Sequence, residues 1–115
     1  MEWKGVWVMS TSCIIALKQG EDVVLLEKKH DGFEESVRVL LNNAVAAEGL
    51  DCEYIANWLI KNTDIQFSLF IHKYPWLLVV FDIDTSEIRS IKINPIGLKR
   101  ISDVAEIYAN EIIGF

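Results

Sequence analysis

His30 and Asp31 stand side by side ahead of a helical pattern, after Lys28-Lys29 and before Glu34 and Glu35. An imidazole next to a carboxylate suits a general base or a ligand contact, and the amides that open a helix suit an anion. The triplet His30-Asp31-Gly32 is therefore a candidate ligand site. The same residues also have a structural explanation, Asp31 as an N-cap and Gly32 as turn geometry. His72 alternates to the polar face of a strand beside Tyr74 and reads as an ordinary exposed histidine. Two histidines with no HxH, HxxE or His-Cys spacing give no metal site. The chain has no GxxxxGK[ST], GxGxxG or GxSxG motif, so neither a cofactor nor a catalytic residue is assigned. Its serines lack a sequence-adjacent base, which leaves only a triad assembled across the fold. Cys13 and Cys52 form neither a CxxC pair nor a metal spacing and read as core or boundary thiols in a reducing compartment.

Charge is more informative. Eleven Lys and Arg against 17 Asp and Glu give a net charge of −6, which argues against a protein that tracks phosphates along nucleic acid. From Asp31 to Asp64 seven acids face only Arg38 and Lys61, a local net of −5. One reading is a solvated face with helix-terminus charges. The sharper one is a landing site for a basic protein, such as a nuclease or a nucleic-acid-binding complex. Its candidate contacts are Glu34, Glu35, Glu48, Asp51 and Glu53. Trp3 and Trp7 join them, because they lie near a chain end and Trp is favoured at interface centres.

These residues need a scaffold, and 115 residues are enough for one domain over the whole chain. The chain is 51% hydrophobic and its mean hydropathy is +0.24, more apolar than a small soluble monomer needs. A homodimer, or a partner covering one face, is expected. Glu2 and Ser10-Thr11-Ser12 interrupt any secretory signal, and the run Trp76 to Phe81 is far short of the roughly 20 residues that span a bilayer. The chain reads as cytoplasmic.

Hydrophobic period assigns the elements. Val6 to Leu17 is apolar and β-branched, Lys18 to Asp22 is a turn around Gly20, and Val23 to Glu27 returns as the partner of a hairpin. Asp31 and Glu34 read as a capping box for a helix with the stripe Phe33, Val37, Leu40, Leu41, Ala44 and Val45, stopped by Gly49. A second helix runs from about Asp51 with Ile55, Trp58 and Leu59 on its apolar face and ends at Asn62-Thr63-Asp64. Ile65 to His72 alternates as a half-buried strand and Lys73-Tyr74-Pro75 turns the chain. Trp76 to Phe81 is apolar on both faces and reads as the central strand. Asp82 to Ser86 turns into Glu87 to Ile93, and Ser102 caps a last helix with Ile101, Val104, Ala105, Tyr108 and Ile112. The fold class is α+β, a mainly antiparallel sheet of about five strands with two to three helices packed on it, in the order β-β-α-α-β-β-β-α. Val37, Leu41, Ile55, Leu69, Ile71, Leu78, Val80, Val104 and Tyr108 are the expected core.

Ser10-Thr11-Ser12-Cys13-Ile14 followed by His30-Asp31-Gly32-Phe33-Glu34-Glu35-Ser36-Val37 resembles small phage and prophage proteins with an S-T-R-S-x-I strand and an H-W-D-G-Y-P turn. Phe67-Ser68-Leu69-Phe70 with Trp76 is similar to a Y-x-Y-L-F…W hairpin in that group. The chain departs from the pattern at Lys29, with no Trp beside His30, and at Glu34 in the Pro position. The resemblance implies a mobile-element origin, with Met9 resembling the usual start, and brings no assigned activity.

The expected function is a non-catalytic acidic binding or inhibitor protein that neutralises a basic macromolecular partner, of the toxin-immunity or phage anti-defence type. The alternative is a small-ligand or nucleotide-binding protein, with weak hydrolase activity at most, centred on His30-Asp31-Gly32. Neither nucleic acid nor a membrane is an expected direct partner.

Overall fold

Five consecutive apolar residues, Cys13 to Leu17, open the first strand. Alternate side chains of a strand point to opposite faces, so this run must be covered on both. The computed structural model describes residues 12–68 and 77–92. It contains β1 (Cys13–Gln19), β2 (Asp22–Lys28), α1 (Glu34–Glu48), α2 (Cys52–Asn62), β3 (Gln66–Phe67), β4 (Leu77–Asp82) and β5 (Glu87–Lys92). The strands form one sheet in the order β3-β2-β1-β4-β5. The β1–β4 pair is parallel, from Cys13 opposite Leu77 to Lys18 opposite Asp82, and the other neighbours are antiparallel. The fold is α+β with a mainly antiparallel sheet.

One face of the sheet presents Cys13, Ile15, Leu17, Leu26, Leu77, Val79 and Phe81. Val37, Leu41 and Ala44 of α1 and Cys52, Ile55, Ala56 and Leu59 of α2 belong to the same core. Ile14, Ala16, Leu78 and Val80, the alternate residues of the two inner strands, are also buried. Gly20 turns β1 into β2 with Glu21, at φ 61°, a position that asks for glycine in a two-residue hairpin. Gly49 ends α1 at φ 84°, and its N–H donates to the Val45 carbonyl at 2.8 Å. Asp51 caps α2 by accepting from the Tyr54 N–H at 3.0 Å.

Three expectations need correction. The third and fourth strands do not form a hairpin, because β3 pairs with β2 on the far side of the sheet from β4. The middle position belongs to β1, with β4 beside it, since both carry apolar residues on both faces. Asp31 does not cap α1. The helix opens at Glu34 with Phe33 at its N-cap and no side-chain cap, so Glu34 cannot close a capping box, and Phe33 is exposed rather than part of the buried stripe. Leu69, Ile71, His72, Lys73-Tyr74-Pro75, Trp3, Trp7 and the helix expected from Ser102 lie outside the described residues.

Leu41 is fully buried and Val39, two residues away on α1, is 57% exposed. Leu41→Ala is expected to cost about 2–5 kcal/mol and Val39→Ala under about 0.5 kcal/mol, read from urea midpoints. Equal midpoints for the two variants would contradict the helix orientation.

Candidate functional site

The loop from β2 to α1 holds the His30-Asp31-Gly32 triplet. A Cβ built on Gly32 would lie 2.7 Å from the Cys13 Cβ and 2.8 Å from its backbone nitrogen. Glycine is needed here because the loop lies directly on the start of β1. Asp31 takes a left-handed φ of 53°, and both it and His30 are exposed. Glu34 and Glu35 fill the first turn of α1, where they complement the macrodipole and repel a second anion. The triplet thus forms a close-packed turn with two carboxylates at the helix opening.

Under this loop, Lys28 lies opposite Cys13 in the hairpin register and is almost fully buried. Its Nζ donates to Asp64 Oδ1 at 2.7 Å, so the burial of the ammonium is offset by a charge-assisted bond. Asp64, one of the seven acids of the Asp31 to Asp64 stretch, is therefore engaged within the fold. Burial pushes the Cys13 thiol up to about 12 from its ordinary 9.0, with Lys28 opposing the shift.

The opposite end of the sheet is different. Because β1 and β4 run parallel, both end there, and the turns that follow them lie side by side. The Gly20 N–H donates to Asp84 Oδ2 at 2.7 Å, and the Ile83 N–H donates to the Lys18 carbonyl at 2.8 Å. The corner between α1 and α2 reaches the same place, since the Cys52 N–H donates to Gln19 Oε1 at 2.9 Å. Three connections are thereby tied together. The first carries Glu21 and Asp22, the second Asp82, Asp84 and Glu87, and the third Glu48, Asp51 and Glu53. No ion pair among the described residues takes up any of these carboxylates. Cys52 registers the field: its thiol is pushed up by burial, then by Asp51, Asp22 and Glu53.

Of the acids expected from sequence, Glu48, Asp51 and Glu53 belong to this acidic pole. Glu34 and Glu35 start α1, whose 15 residues extend about 22 Å towards the pole. Glu34 also pairs with Arg38 at 2.8 Å. Sequence reasoning missed Glu21, Asp22, Asp82, Asp84 and Glu87, because their proximity depends on a strand pairing that local pattern does not reveal. On the outward side of α2, beside the pole, Tyr54, Asn57, Trp58, Lys61, Asn62 and Glu48 line a shallow groove of about 370 Å³. Trp58, expected on the apolar face, is partly buried and packs against the core while also lining this groove. The described residues include no cluster of His, Cys, Asp or Glu arranged to hold a metal, and no helix long and apolar enough to cross a membrane. No protein-family model, curated protein or solved structure matches the chain.

The buried thiols give a pH dependence with a defined sign. Between 9.0 and about 12 the Cys13 thiol ionises in the unfolded chain but stays neutral in the fold. The unfolded state then binds fewer protons, so stability is complete below pH 9 and falls as pH rises through that window. From pH 8 to pH 10 the loss from this group is about 1 kcal/mol. Urea midpoints at the two pH values should show a smaller drop in Cys13→Ala than in the wild type; identical drops would contradict the burial of this thiol.

Proposed function

We propose that the protein is a non-catalytic acidic binding protein that neutralises a basic macromolecular partner, in the manner of toxin-immunity or phage anti-defence proteins. The acidic pole is the observation that carries this reading. Eight carboxylates on three tethered connections, none in an ion pair among the described residues, create a field that draws in a positively charged surface and orients it before contact. Exposed carboxylates left without counter-charges do little for the fold's own stability, so an external cation is their natural complement. Trp3 and Trp7 complete the reading as apolar anchors, and Glu34 and Glu35 as outlying charges. The resemblance to phage proteins favours the anti-defence form, and two free, buried cysteines suit a reducing cytoplasmic setting. A homodimer would use another face, because a two-fold contact through the pole would set carboxylates against carboxylates.

A test uses the immobilised protein to recover its partner from host lysate, followed by stopped-flow association with the purified partner. Reversing the exposed Glu21, Glu48, Glu53 and Glu87 to Lys is expected to slow association about tenfold or more, while unfolding changes little. Glu35→Lys, at the other end of α1, is expected to have a much smaller effect. The wild-type on-rate should fall with salt as the Debye length contracts from about 10 Å at 0.1 M to about 3 Å at 1 M. Equal on-rates for wild type and the fourfold variant would overturn the reading.

A further inference from the structure

The groove beside the acidic pole has a chemistry that charge alone does not account for. Tyr54 and Trp58 lie one helical turn apart on α2 and both line the groove, Tyr54 from the exposed face and Trp58 from its edge, where it is partly buried against the core. Tyr54 is 57% exposed, and Leu50 just before the helix is 49% exposed, so an aromatic and apolar strip is held in water next to carboxylates. Glu48 closes one end of the groove from α1, and its carboxylate has no partner among the described residues. Asn62 donates its Nδ2 to the Trp58 carbonyl at 2.9 Å, which leaves its side-chain oxygen able to accept a bond.

We infer that this groove receives an arginine side chain of the basic partner, its guanidinium packed against Tyr54 and Trp58 and paired with Glu48. The inference rests on the acidic pole being the landing surface and specifies which basic group is recognised there. Charge complementarity selects a cation, and the aromatic pair selects between cations. A guanidinium is planar and weakly hydrated, stacks on aromatic rings and offers a fork of donors to a carboxylate. A lysine ammonium is a compact, strongly hydrated charge that gains less from the rings. Lys61 stands two turns from Tyr54, about 10 Å along the helix, where the carbonyl end of α2 favours a cation. Lys61 is also only one turn from Trp58, so its charge places the guanidinium nearer Tyr54 and Glu48, with Trp58 at its margin.

Blocked hexa-arginine and hexa-lysine peptides of equal charge, titrated into isotope-labelled protein, separate the two levels of this reading. Hexa-arginine is expected to bind about two- to fivefold more tightly and to move the indole N–H signal of Trp58, assigned with Trp58→Phe. Tyr54→Ala, a change at an exposed side chain, should abolish the preference while hexa-lysine binding persists. Equal affinities with an unmoved Trp58 signal, or a preference that survives Tyr54→Ala, would overturn the arginine site and leave the acidic landing surface standing. Binding of neither peptide would overturn both.

Discussion

The parallel pairing of β1 with β4 determines where everything else in the molecule lies. Had these strands run antiparallel, the β1–β2 turn and the β4–β5 turn would sit at opposite ends of the sheet. Parallel register, from Cys13 opposite Leu77 to Lys18 opposite Asp82, brings both turns to one end. Adjacent apolar runs on the two strands make the pairing favourable, because Ile14, Ile15, Ala16, Leu17, Leu78, Val79 and Val80 are all buried in it. Hydrophobic burial thus gathers the carboxylates, though no carboxylate takes part in it.

Gathering like charges opposes folding, and local bonds at the pole offset that cost. Asp84 accepts from the Gly20 amide, Asp51 from the Tyr54 amide in the first turn of α2, and Asp82 from the Asp84 amide, so three of the carboxylates hold backbone donors. Gln19 ties β1 to Cys52 by a neutral bond. The other end of the sheet uses its charges differently: Lys28 is buried and paired with Asp64, and Glu34 is paired with Arg38. Two ion pairs thus form at that end, whereas no ion pair among the described residues takes up a carboxylate of the pole.

Much of the architecture was legible in residue spacing. Hydrophobic steps of three and four identified both helices, Gly20 and Gly49 marked the turn and the stop in which they are found, and Asp51 marked where α2 begins. The start of α1 was misread because Asp31 and Glu34 have the spacing of a capping box. Gly32 instead has to lie flat on Ser12 and Cys13, which holds Asp31 in a left-handed conformation and delays the helix. The β3–β4 hairpin was misread for a related reason: sequence neighbours favour hairpins, whereas β4 gains more by inserting next to the all-apolar β1. Glu48, Asp51 and Glu53, three of the eight carboxylates of the acidic pole, were visible within the charge excess between Asp31 and Asp64. The rest lay in turns whose proximity only the parallel pairing creates. Trp58 was read only as part of the apolar face of α2, and the groove it lines with Tyr54 and Glu48 needed the α1–α2 corner to form it.

The tether between the two turns is the most direct point of attack. The Gly20 amide, followed by NMR, should exchange slowly with solvent in the wild type and markedly faster in Asp84→Ala, because its 2.7 Å bond to the Asp84 carboxylate is then lost. A Gly20 amide that exchanges equally fast in the two proteins would contradict this tether between the two turns.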